Sequence, residues 1–161
     1  MPAEIPLVEL LRVLVGHGVE FIVVGGVAAV LNGAPVTTFD LDILHRRTPE
    51  NVERLVAALT AIDAVFRTDA RRIRPNASHL MGPGHALLET RLGVLDSLGT
   101  IETDATYDTV FEDTFVLEID GMMIRALELR RLIRAKEIAG RPKDFAVLPV
   151  LRATLEERGR S

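Results

Sequence analysis

The chain has 161 residues, is 48% hydrophobic and contains no internal repeat, so we interpret residues 1–161 as one domain with a well-filled core. Its formal charge of −4 argues against tight nonspecific binding to duplex DNA, and its lack of cysteine excludes disulfides and thiolate metal sites. The N-terminus lacks the basic start of a signal peptide, and the longest apolar run is too short to cross a bilayer. We therefore expect a cytoplasmic protein that does not enter membranes.

The first part of the chain predicts helices and strands in alternation. The signals are leucines at helical spacing, a run of β-branched residues, and a Thr-Pro-Glu helix start. They predict a helix over residues 5–18, a strand over 21–24, a helix over 27–31, a strand over 37–44 and a helix from 49 to about 62. Strands that are each followed by a helix indicate an α/β sheet.

The second part of the chain begins with an irregular excursion over residues 67–84, in which Ile73 and Leu80 are candidates for short strands. Further on, the pattern predicts strands over 86–90 and 93–98, a short helix over 106–113, a hairpin of strands 115–119 and 122–126, and helices over 127–139 and 142–158. We therefore expect a mixed α/β sheet flanked by helices, with a C-terminal helical segment over residues 126–161.

Three aspartates interrupt strands that are otherwise apolar. Asp40 and Asp42 lie two positions apart, so their carboxylates share one face of the strand while Leu41 points into the core. Asp96 lies in the same way within a later strand. Three carboxylates that met at one place would hold two Mg²⁺ ions. The alternatives are a solvent-facing edge strand for the first pair, and a turn or a lone surface acid for Asp96.

A glycine pair directly follows the first strand. Gly25 and Gly26 have no side chains, so backbone N–H groups at the start of the next helix can approach phosphate oxygens. Lys136 and Lys143 could contact phosphate if their helix corner folds over this site, although the sequence favours solvated charges at helix ends. Thr38 is a further candidate nucleotide contact, with an ordinary strand role as its alternative.

The stretch GGVAAVLNGAPVTTFDLDIL resembles the signature of the nucleotidyltransferase superfamily with the DNA polymerase β-type fold. It is most similar to the bacterial branch that contains the AbiEii-type abortive-infection and toxin nucleotidyltransferases. The positions that match the family pattern are Gly25, Gly26, Asp40 and Asp42 in this stretch, Asp96 as the third acid, and residues 136–144 as a Lys-plus-Lys-Asp segment.

The resemblance implies transfer of a nucleoside monophosphate from a nucleoside triphosphate to a hydroxyl, with Mg²⁺ bound by the three aspartates and with release of pyrophosphate. It also implies the partners to be expected: a nucleoside triphosphate as donor, a tRNA, a protein or a small molecule as acceptor, and a cognate antitoxin.

Two departures from the family pattern keep a second interpretation open. Val27 stands where many relatives have serine, and Val36 and Thr37 occupy a stretch where many have arginine. Both changes remove a phosphate contact, so the alternative is a non-catalytic nucleotide-binding or toxin–antitoxin module of the same fold. A third interpretation, an aspartyl phosphatase or a sugar-nucleotide transferase, ranks last because the glycine pair precedes the acids on another strand.

Overall fold

The computed structural model describes residues 6–160, which form the mixed α/β structure that the sequence predicts. Ile5, the predicted start of the first helix, lies outside these residues. The elements are α1 (Leu7–Gly16), β1 (Phe21–Val24), α2 (Gly25–Leu31), β2 (Asp40–His45), α3 (Pro49–Ala61), β3 (Val65–Phe66), α4 (Ala77–Met81), β4 (His85–Thr90), β5 (Gly93–Leu98), α5 (Tyr107–Val110), a short 3₁₀ helix (Phe111–Asp113), β6 (Thr114–Ile119), β7 (Met122–Leu127), α6 (Leu129–Ala139) and α7 (Pro142–Gly159).

Seven strands of the described chain form one sheet in the order β3-β4-β5-β2-β1-β7-β6. The central strand β2 runs antiparallel to β1 and parallel to β5. Its register places Asp42 opposite Val24 on β1 and opposite Asp96 on β5. The start of β2 therefore lies beside the end of β1, where the chain turns into α2.

Apolar faces of the helices build the core. Leu10 and Leu14 of α1, Leu55 and Leu59 of α3, and Leu132 of α6 recur at helical spacing and are buried. Each such leucine contributes roughly 1.5–3 kcal/mol when it leaves water. α1 contacts α3, and α3 contacts α4, while α2 contacts α6, and α6 contacts α7. A bilayer crossing needs a long, apolar helix, and residues 6–160 contain none that qualifies.

The prediction of strand over residues 37–39 is wrong, because β2 begins only at Asp40. The Thr38 hydroxyl donates a hydrogen bond to the Asp40 carbonyl (3.1 Å), a local contact that competes with strand pairing. The neighbouring strands offer residues 37–39 no partner, since β5 begins beside Asp40, which pairs with Val94, and the pairing with β1 stops at Asp42. Residues 37–39 thus form a loop beside the acids.

The short strands suggested at Ile73 and Leu80 are also wrong. Leu80 belongs to α4, which begins because the Asn76 side chain accepts a hydrogen bond from the His79 N–H (3.0 Å). Ile73 lies outside any strand, although its carbonyl accepts a hydrogen bond from the N–H of Phe66 in β3 (2.9 Å). A side-chain cap thus determines the local structure of a segment whose proline and glycine content suggested an irregular loop.

Asn51, at the start of α3, joins the ends of β1 and β2 that lie away from the acids. Its Nδ2 donates to the carbonyls of Glu20 (2.9 Å) and Arg46 (2.8 Å), and its Oδ1 accepts from the Glu20 N–H (2.7 Å). Glu20 precedes β1 and Arg46 follows β2. One fully buried side chain therefore fixes the two strands that carry the glycine pair and the first two aspartates.

We expect Asn51→Ala to lower the free energy of unfolding by about 2–3 kcal/mol, because it removes three hydrogen bonds and leaves backbone groups unpaired. Urea unfolding followed by circular dichroism measures this change. The control is Asn76→Ala, which removes an exposed cap from a five-residue helix and should cost about 1 kcal/mol or less. Equal losses in the two variants would contradict the bracing role of Asn51.

Candidate active site

The structure brings the three aspartates to one place. Asp40 and Asp42 project from the same side of β2, and Asp96 lies opposite Asp42 on β5. One carboxylate oxygen from each residue can be chosen so that all three lie within 4.8 Å of one another. Since β2 is an interior strand and Asp96 is buried, neither the edge-strand interpretation nor the surface-acid interpretation holds. The metal-binding role of the cluster stays a prediction.

Asp42 is the member of this cluster whose ionised form is disfavoured by its surroundings. Burial is the main effect that raises the pKa of Asp42, and the charges of Asp40 and Asp96 raise it further, to about 7 from an ordinary 3.8. Lys136 and Lys143 oppose this shift without cancelling it. The buried Oδ1 of Asp42 has no hydrogen-bond partner among the described residues. An ionised carboxylate in such a place needs a cation beside it or a proton on it.

The backbone bend between β1 and α2 makes room for Asp42. Gly25 has a φ of +65°, and a Cβ built on it would overlap Oδ2 of Asp42 and lie 3.0 Å from its Cγ. A Cβ on Gly26 would lie 2.7 Å from the Thr38 hydroxyl. Gly25 is therefore favoured by close approach and by its positive φ, whereas Gly26 is favoured by close approach alone. The glycine pair leaves the start of α2 bare beside the carboxylates.

Two lysines approach the bend from the corner between α6 and α7. Lys136 and Lys143 line one open cleft, which we call the glycine cleft, together with Gly25, Gly26, Thr38, Asp40 and Asp42. The corner forms because Gly140 ends α6 in the left-handed conformation, with φ of +63°, and Pro142 begins α7. All the residues predicted to contact nucleotide therefore meet in the glycine cleft; that they bind nucleotide stays a prediction.

Asp144 holds Lys136 in this position. Asp144 is completely buried and accepts hydrogen bonds from the Lys136 Nζ (3.2 Å) and from the Arg141 Nε (2.7 Å). Burial alone would raise the pKa of Asp144, but these hydrogen bonds outweigh it and hold the pKa below its ordinary value. Only 23% of the Lys136 side chain is exposed, so the interpretation of this lysine as a solvated charge is wrong. Lys143, in contrast, is exposed.

Arg67 is a site residue that the sequence did not reveal. It follows β3, and its guanidinium contacts both carboxylate oxygens of Asp96, with Nη2 at 3.2 Å from Oδ2. The hydrogen bond to Asp96 is the largest of the effects that raise the pKa of Arg67, and the charges of Asp40 and Asp42 add to it. In the sequence Arg67 is only one arginine among several in an irregular segment, and nothing local distinguishes it.

A second cavity adjoins the glycine cleft and shares Gly25, Asp42 and Lys136 with it. We call it the apolar cavity, because most of its other walls are apolar side chains: Val24, Leu98, Ile101, Leu127, Leu132, Ala135 and Ala139. Glu102, which also lines it, is paired with Arg131 (2.6 Å). The Asp42 carboxylate thus borders a charged space and a mainly apolar one.

We expect Asp42→Asn to raise the melting temperature of the metal-free protein by about 3 °C or more at pH 8, because it removes the repulsion and the buried charge. The pKa of Asp42 is raised on folding, so the native state binds the proton more tightly and stability is lost as pH rises from about 4 to 7. The advantage of Asp42→Asn should therefore shrink at pH 5. Differential scanning fluorimetry in EDTA measures both values.

The same experiment with added Mg²⁺ provides the counterpart. A cation that binds only the folded cluster stabilises the wild-type protein, and Asp42→Asn should gain much less from it. A variant that melts several degrees below the wild type in EDTA at pH 8 would contradict the account of Asp42.

We expect Gly25→Ala to destabilise the protein more than Gly33→Ala, by at least about 1 kcal/mol. Both glycines have positive φ, but a Cβ at Gly33 would meet nothing within 4 Å, whereas one at Gly25 would overlap Asp42. The pair therefore separates the overlap from the cost of the backbone conformation. Urea unfolding measures both variants, and equal losses would show that Asp42 moves aside without cost.

No family model matches the chain, and no curated protein matches it. Among solved structures, a protein from Thermotoga maritima described as a "putative nucleotidyltransferase" is similar, with a TM-score of 0.58 and 19% sequence identity. The similarity covers 94% of this chain and 91% of that chain. It confirms the predicted fold, a mixed α/β sheet flanked by helices, which the chain shares with that protein. It gives no support for the AbiEii-type branch.

Proposed function

We propose that the protein is a Mg²⁺-dependent nucleotidyltransferase, which moves a nucleoside monophosphate from a nucleoside triphosphate to a hydroxyl and releases pyrophosphate. The observation that carries this proposal is the convergence of Asp40, Asp42 and Asp96 within 4.8 Å beside the lysines of the glycine cleft. The shared fold with the Thermotoga maritima protein supports it. So do the family motifs, each of which contributes a residue to this site.

The donor atoms of the cluster fit Mg²⁺. They are all carboxylate oxygens, the donors that a small, hard divalent cation prefers. The buried Oδ1 of Asp42 has no hydrogen-bond partner among the described residues, so it is free to act as a ligand of such a cation. A bound Mg²⁺ would lower the pKa of the attacking hydroxyl and neutralise charge that develops on the departing pyrophosphate.

The protein's own groups would bind and orient the triphosphate. Gly25 and Gly26 let backbone N–H groups at the start of α2 approach its oxygens. Lys136, fixed by Asp144, and Lys143 bring positive charge to the same cleft. The Thr38 hydroxyl faces Gly26 and so supplies a polar group near the bend. Many relatives have a serine at the bend itself, where this chain has Val27.

A second candidate function is nucleotide binding without turnover, as in a regulatory or toxin–antitoxin module of this fold. One observation favours it: Arg67 occupies both oxygens of Asp96, which reduces what the third acid can offer to a cation. Four further parts of the proposal rest on the sequence alone. They are membership of the AbiEii-type branch, an acceptor that is a tRNA, a protein or a small molecule, a cognate antitoxin, and a cytoplasmic location.

We expect the purified protein to transfer label from at least one α-³²P-labelled nucleoside triphosphate to tRNA, protein or a small hydroxyl compound, only when Mg²⁺ is present. Asp42→Asn should reduce transfer by about a hundredfold or more, because it removes a charged cation ligand. The matched control is Asp120→Asn, at the exposed turn between β6 and β7, which should behave as the wild type.

Pyrophosphate release in the presence of the same acceptors, followed by a coupled assay, measures the same reaction without detection of the labelled product. Nucleotide binding by calorimetry with no transfer and no pyrophosphate release would support the non-catalytic alternative. Transfer that is equal in Asp42→Asn and in the wild type would refute the proposed site.

A further inference from the structure

Arg67 lies inside the acidic cluster rather than on the surface. Its side chain is 28% exposed, whereas the arginines at positions 71, 72 and 74 are 59–78% exposed and pair with acids outside the cluster. The Arg67 guanidinium contacts both oxygens of Asp96, and its Nη1 also donates to the Leu88 carbonyl at 3.3 Å. Arg67 is thus built into the site.

The sheet holds Arg67 in this place. The Arg67 N–H donates to the Leu87 carbonyl (3.1 Å), and Leu87 on β4 lies opposite Asp96 on β5. The backbone of Arg67 is therefore fixed beside β4, and its side chain extends across β4 to Asp96 on β5. A planar guanidinium in this position matches the two oxygens of a carboxylate.

The charges of the cluster balance differently once Arg67 is included. The three carboxylates, when ionised, and the guanidinium that contacts Asp96 carry a net charge of −2, which one divalent cation neutralises. Lys136 and Lys143 also act on Asp42, but Lys136 is paired with Asp144. The hydrogen bonds are also unequally distributed, since both oxygens of Asp96 accept from Arg67 while Oδ1 of Asp42 has no partner among the described residues. Asp42 is therefore the carboxylate of this cluster that most needs a cation beside it.

We propose that Arg67 is the resident counter-ion of Asp96, so that the nucleotide-free protein binds one divalent cation tightly, at Asp40 and Asp42, and binds a second tightly only when Arg67 is removed. This inference rests on the proposed function in one respect, that the three aspartates are cation ligands. To serve a second cation, Asp96 has to give up a charge-assisted hydrogen bond and accept a like charge beside the guanidinium. We expect Arg67 to weaken that second binding step by at least about tenfold.

The test is a titration of the full chain with Mn²⁺ and no nucleotide, followed by calorimetry and by electron paramagnetic resonance of free Mn²⁺. We expect one Mn²⁺ per chain for the wild type and two for Arg67→Gln. Arg67→Lys keeps the charge and should bind one. The matched control is Arg71→Gln, which removes an exposed arginine paired with Asp69 and should also bind one.

One outcome overturns the inference alone: the wild type and Arg67→Gln bind the same number of Mn²⁺ ions, whether one or two. Failure of both proteins to bind Mn²⁺ refutes the metal site of the proposed function as well, so the two failures are distinguishable. If circular dichroism shows that Arg67→Gln does not fold, the wild type and Arg67→Lys decide the matter. One ion in each supports the inference, and two in either overturns it.

Discussion

Mutual repulsion among three carboxylates is the constraint on which the rest of this site depends. Asp40, Asp42 and Asp96 lie within 4.8 Å of one another in a partly buried place, where like charges interact more strongly than they do in water. A cluster of this kind persists only if the surrounding structure both forces it together and supplies compensating charge. The sheet does the first, and Arg67 and the two lysines of the glycine cleft do part of the second.

The force that holds the acids together comes from their apolar neighbours. Leu41 and Ile43 are fully buried on the opposite side of β2, so the strand cannot turn its aspartates away without exposing two core residues. The parallel register with β5 then fixes Asp96 beside Asp42. Burial of the core residues thus stabilises the fold, while repulsion among the acids destabilises it, a pattern common at functional sites.

Local patterns in the sequence were sufficient for most of the fold and for the acids. The buried strand at 21–24 and the Asp-Gly hairpin depend on neighbouring residues alone, and both are found as predicted. Strand alternation places Asp40 and Asp42 on one face, again a local rule. Asp96 could be identified because it interrupts an apolar strand and matches a family motif.

Contacts between distant parts of the chain could not be read in this way. Arg67 reaches Asp96 across 29 positions, and the pairing of β3 with β4 and of β4 with β5 brings the two together. Lys136 becomes a partly buried site residue through Asp144, an acid whose complete burial depends on how α6 packs on α7. One local signal for Asp144 was available, an acid three positions after a helix cap, but it does not indicate burial.

Lys136 borders both the glycine cleft and the apolar cavity, as do Gly25 and Asp42. An anion that drew the ammonium group toward the glycine cleft would change the charge felt in the apolar cavity, and would weaken the hold of Asp144 on the lysine. Through this lysine, occupancy of one space would affect occupancy of the other, and the effect would be reciprocal. A molecule bound in one space would then change the affinity of the other for its own ligand.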